Sequence, residues 1–74
     1  MSKLPSLTPK EIIRILQKKG FTLDRTKGSH HIYFHSELKR RVVVPLHKKD
    51  LPKGTLMEIL RQAGLTRDEL RNLF

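Results

Sequence analysis

Lys27-Gly28-Ser29-His30-His31-Ile32-Tyr33-Phe34-His35 decides the fold, because a Gly-Ser turn runs straight into a stretch of alternating side-chain character. Successive side chains of a strand point to opposite faces of a sheet, so this stretch reads as an amphipathic strand with two distinct sides. Ile32 and Phe34 are its strongest apolar residues, and they share a side with His30. That side is expected to pack on helices, leaving His31, Tyr33 and His35 on the open side. Histidine stands out because its unperturbed pKa of about 6.5 lets it take and give protons near neutral pH.

Working outward, Phe21 and Leu23 open a preceding strand that runs through Asp24 to Lys27 and into the turn. Downstream, Ser36-Glu37-Leu38-Lys39-Arg40 is polar enough for a hairpin loop, and Arg41-Val42-Val43-Val44 is the returning β-branched strand, stopped by Pro45. His47-Lys48-Lys49-Asp50 follows as a basic loop. Before the sheet, Thr8-Pro9-Lys10-Glu11 reads as a helix start with a capping box, Ile12, Ile13, Ile15 and Leu16 form its apolar face, and Gly20 ends it. After the sheet, Leu56, Ile59, Leu60 and Ala63 follow helical spacing over Lys53 to Ala63, with Gly64 at the end. Thr66-Arg67-Asp68-Glu69 repeats the capping-box pattern and starts a short third helix that is expected to pack on the core with Leu70, Leu73 and Phe74. The first seven residues are expected to fray. The order is α-β-β-β-α with an added terminal helix: an α+β fold in which helices cover one face of a three-stranded antiparallel sheet.

With 74 residues the chain reads as a single domain, 1–74, with a core over about 8–65. A chain this short buries only about 60% of its unfolded surface, so a deep substrate pocket is not expected. Sixteen Lys and Arg against seven Asp and Glu leave a net charge of +9, which favours nucleic acid or an acidic protein as partner. With no cysteine, disulfides, thiolate metal sites and a Cys nucleophile are excluded, and the chain suits a reducing, cytoplasmic compartment. No apolar run approaches the roughly 18 residues of a transmembrane helix, so no membrane role is expected.

His31, beside a glycine turn whose N–H groups can approach phosphate oxygens, is the candidate catalytic residue. One histidine there can act as general base on a ribose 2′-hydroxyl; the neighbouring 2′-oxygen attacks phosphorus and leaves a 2′,3′-cyclic phosphate. Lys27, Arg41, Lys48 and Lys49 are candidates to stabilise the phosphate charge, Gly28 and Ser29 to shape its approach, and Tyr33 to stack on a base. The plainer reading makes His31 a solvated strand residue, and it stays open on the residues alone. His30 is expected to be buried and neutral, and His35 and His47 to lie at the surface. Four histidines invite a metal, yet zinc holds each nitrogen at about 2.0–2.1 Å. His31 and His35 stand about 13 Å apart along a strand, and His30 and His31 face opposite ways. No metal and no cofactor are therefore expected. A serine hydrolase built on Ser29 and His31 lacks an acyl pocket.

Gly28-Ser29-His30-His31, then Val42-Val43-Val44-Pro45, then Lys53-Gly54-Thr55-Leu56-Met57-Glu58-Ile59-Leu60-Arg61-Gln62-Ala63-Gly64-Leu65 closely resemble the HicA (YcfA-like) toxins of toxin–antitoxin systems, over about Glu11 to Leu65. The resemblance implies a double-stranded-RNA-binding-domain-like fold, cleavage of mRNA independently of the ribosome, growth arrest, and neutralisation by a HicB-type antitoxin that covers the active site. It also implies that the last residue of the Gly-Ser-x-His turn, His31, is catalytic. Leu46 departs from the pattern, since relatives often carry Arg after the proline, and the segment beyond Leu65 varies among them. The reading is thus a metal-independent endoribonuclease toxin. The alternative is a non-catalytic RNA-binding module on the same face; a third and weaker one is an interaction protein whose charge serves only an acidic partner.

Overall fold

A computed structural model of the chain describes residues 6–46 and 49–73. The first helix, α1, spans Pro9–Lys19. Thr8 closes the capping box: its hydroxyl accepts from the Glu11 N–H at 3.3 Å, and the Glu11 carboxylate accepts from the Thr8 N–H at 2.9 Å. At the other end Gly20 is left-handed, with φ 107°, so its N–H and that of Phe21 fold back onto the carbonyls of Gln17 and Leu16. Helix α2, Lys53–Ala63, ends the same way: Gly64 has φ 73°, and the Leu65 N–H reaches the Leu60 carbonyl at 2.9 Å. The residue after each glycine, Phe21 and Leu65, is buried and pins its helix end to the core.

Strands β1 (Thr22–Lys27), β2 (His30–His35) and β3 (Arg40–Pro45) form an antiparallel sheet in that order. Helix α3, Arg67–Leu73, starts with the second capping box, Thr66 and Glu69 accepting from each other's N–H groups at 3.1 Å. Leu70 is fully buried, and Lys19 of α1 bonds Glu69 at 2.9 Å. That lysine, and then the Thr66 N–H, hold the Glu69 carboxyl below its ordinary range. A depressed folded pKa stabilises the fold above the unfolded value, and this support disappears as pH falls through the folded one. The thermal midpoint is therefore expected to fall as the solution is acidified below about pH 4.5, and Glu69→Gln to flatten that decline. Equal acid sensitivity in the two proteins would contradict the role given to this pair.

The core gathers Ile12, Leu16, Phe21, Leu56, Ile59 and Leu70 from the helix layer against Tyr33, Val42 and Val44 of the sheet. This reverses the expected sides of β2. Tyr33 is 3% exposed and faces the helices, as do His31 and His35 on the same side, while Ile32 and Phe34 stand half-buried on the open side with exposed His30. The cause lies in the hairpin register, which pairs Tyr33 with Val42, His31 with Val44, and Phe34 with Arg41. Turning Phe34 inward would have carried Arg41 with it, and an unpaired buried guanidinium is far costlier than a half-exposed phenylalanine. The N-terminal expectation also changes: Leu7 is fully buried, and its carbonyl accepts from the Leu51 N–H at 2.7 Å. Residues 1–5 and Phe74 lie outside the described residues.

Both edges of the sheet are managed. Along β3, the Gln62 side chain accepts from the Val43 N–H at 3.0 Å, and Arg40 donates to the Gln62 carbonyl at 3.3 Å. Arg40 also lies against Gly64, where an added Cβ would stand 2.9 Å from its Nε. The cation thus sits on the negative end of α2. Along β1, a bulge between Leu23 and Arg25 breaks the regular edge.

Candidate functional site

His31 is the second residue of β2, paired with Thr26 on one side and Val44 on the other. Val44 is fully buried, whereas Thr26 is exposed and Leu23, on the same side of β1, is 50% exposed. The helix layer therefore stops short of β1, and His31 stands half-buried at its margin. Its ring lies 6.4 Å from that of Tyr33, tilted by 45°. Nδ1 is buried and has no hydrogen-bond partner among the described residues, which leaves Nε2 as the nitrogen able to meet a substrate. Among the described residues no carboxylate bonds this imidazole, which packs beside Tyr33.

Immediately before it, Gly28 adopts φ 61° in a turn with open space around the position of a Cβ. The Ser29 carbonyl accepts from the Leu46 N–H at 2.7 Å, which ties the turn to the chain leaving β3. That chain continues past exposed Lys49 to Leu51, bonded to Leu7, and to Pro52 at the start of α2. Lys49 is three residues from Leu46, a backbone span of at most about 11 Å, so its cation stays close to the turn. The α2 N-terminus has no side-chain cap and no acidic residue in its first turn. Its unpaired N–H groups and positive dipole end suit an anion.

Of the residues singled out in the sequence, Gly28, Ser29 and His31 come together at one end of the sheet, with exposed Lys27 at the end of β1 and Lys49 on the neighbouring loop. Lys27, Lys49 and Lys53 make no ion pair among the described residues. Lys48 and His47 lie outside the described residues. Arg41 does not join His31: it is on the opposite side of the sheet, bonded to Asp24 at 2.6 Å with its guanidinium 4.8 Å above the Phe34 ring. Tyr33 is a core residue here rather than an exposed stacking platform, and burial pushes its phenol pKa up, so the hydroxyl stays a donor. His35, expected at the surface, is built into the fold. Its Nδ1 accepts from the Leu38 N–H at 3.1 Å, its ring meets Phe21 edge-on at 5.1 Å, and it fills the space beside Gly20.

Sequence reasoning gave no role to Gly54, in the first turn of α2. A Cβ there would meet nothing within 4 Å, so Gly54→Ala should raise stability by roughly 0.5 kcal/mol through helix propensity alone. If the bare backbone serves to let a phosphate approach, the same variant is expected to bind RNA more weakly while melting higher. Unchanged RNA binding would remove the α2 N-terminus from the site.

Among the described residues no three His, Asp or Glu side chains converge as metal ligands, and no helix is long and apolar enough to cross a membrane. What the geometry defines is a small, strongly basic α+β domain with the half-buried His31 close to a glycine turn at one end of its sheet, and with an uncapped start to α2. The chain belongs to the HicA toxin family: the family model described as HicA toxin of bacterial toxin–antitoxin matches residues 9–65. Membership implies a cognate antitoxin as partner. A search of curated proteins gives no match.

Proposed function

We propose that this toxin is a metal-independent endoribonuclease that cleaves mRNA, with His31 as its proton-transfer group. The observation that carries the reading is the place of His31: at the open margin of the helix layer, inner nitrogen buried, beside the Gly28-Ser29 turn. Nε2 takes the proton of a ribose 2′-hydroxyl. The 2′-oxygen attacks the adjacent phosphorus as the bond to the 5′-oxygen breaks, and the departing oxygen takes up a proton. The products end in a 2′,3′-cyclic phosphate and a 5′-hydroxyl. Lys49, Lys53 and the α2 N-terminus supply positive charge for the phosphate, whereas Lys27, paired across the strands with His30, and the ion-paired Arg41 stand on the opposite side of the sheet.

One observation favours the alternative of a non-catalytic RNA-binding module: no second titratable group among the described residues hydrogen-bonds His31 to return the proton. Incubating the purified chain with a mixed-sequence RNA in excess EDTA distinguishes the two. The toxin reading expects fragments, and binding that weakens steeply with added salt. Intact RNA with salt-sensitive binding would leave the binding module.

A further inference from the structure

The face of the sheet that carries no helix is the least explained surface of the molecule. At its centre Ile32 pairs directly with Val43, which is 37% exposed, and Phe34 lies next to them. Around this apolar stripe stand Arg25, Lys27 and Arg41, against one acid, Asp24, that Arg41 already neutralises. His30 completes the end of the face nearest the turn. An apolar centre inside a charged rim is the anatomy of a protein interface.

We propose that this open face is the anchoring surface for a protein partner with an apolar centre and an acidic rim, a role that the antitoxin implied by family membership fills. The proposal rests on the toxin reading for the partner's identity only. A second copy of the chain is disfavoured, since each carries a net charge of +9 and would bring like-charged rims together. Single-stranded RNA fits poorly, because it stacks on exposed aromatic rings. Here the Phe34 ring already lies under Arg41, which leaves no free ring face for a base. Three strands of this length offer roughly 15 by 20 Å, enough for the centre of a standard interface but short of its whole area. The partner must therefore extend past the sheet edge. His30 on this face is one residue from His31 on the other, so a partner anchored here stands at the rim of the histidine site.

The test is calorimetric titration of the cognate antitoxin, without RNA, into the parent chain, Val43→Glu, Arg25→Glu and Met57→Glu. Val43→Glu places a carboxylate at the centre and is expected to weaken binding by about 30-fold or more. Arg25→Glu, at an exposed position and checked for its fold by circular dichroism, is expected to slow association and to weaken its salt dependence. Met57→Glu, on the exposed surface of α2, should bind as the parent does. Parent-like binding by both face variants would overturn the proposal. So would loss of RNA binding in Val43→Glu with antitoxin binding intact, which would make the face a nucleic-acid surface. A parent chain that fails to cut RNA would defeat the toxin reading yet leave these binding comparisons valid.

Discussion

His31→Ala is expected to lower RNA cleavage by about 10²–10⁴-fold, the usual contribution of one positioned acid–base group, while His30→Ala cuts at close to the parental rate. The adjacent histidines make a sharp comparison because the strand turns them to opposite sides of the sheet. His30 is exposed on the open face, and His31 is half-buried at the margin of the helix layer. The fold should survive either change. His31 buries an unpaired nitrogen rather than a bonded one, so its removal breaks no hydrogen bond among the described residues. Circular dichroism and RNA retention in a gel shift, measured on the same samples, separate lost chemistry from lost structure. Equal loss of activity in both variants would mean that the turn, and not the imidazole of His31, is what matters.

Tyr33→Ala is expected to destabilise the protein by about 3–5 kcal/mol, as large aromatic truncations in a core do. Small domains hold only about 5 kcal/mol or little more in total, so this variant should keep only about 2 kcal/mol or less and unfold at a much lower denaturant concentration. Tyr33→Phe keeps the ring among Val42, Val44 and the helices and should fold normally. A denaturant titration of both variants decides the matter. A well-folded Tyr33→Ala that merely binds RNA less tightly would return this ring to the open face and reverse the assignment of sides.

The helices were readable from local chemistry. Thr8 with Glu11, Thr66 with Glu69, and the glycines at 20 and 64 each declare a helix end within four residues, and the structure places all three helices there. The sides of the sheet were not readable from β2 alone, because Ile32 and Phe34 on one side and Tyr33 between two histidines on the other are both amphipathic choices. The deciding signal sat in β3: opposite Phe34 stands Arg41, whereas Tyr33 and His31 face Val42 and Val44. Alternation and the Gly-Ser-x-His motif both pointed to His31, but the alternation argument had the wrong face, so only the motif and the observed geometry now support it. Arg40 and Gln62 were missed because their work is long-range, joining the end of α2 to the start and edge of β3. No pattern within either segment announces such a contact.

The most direct test of the account is to incubate the chain, in excess EDTA, with an RNA and with the DNA of the same sequence, and to analyse the fragment ends. The substrate's own 2′-hydroxyl is the proposed nucleophile, so the account predicts RNA fragments ending in 2′,3′-cyclic phosphate and DNA left intact. Cleaved DNA, or RNA fragments carrying 5′-phosphate, would contradict it.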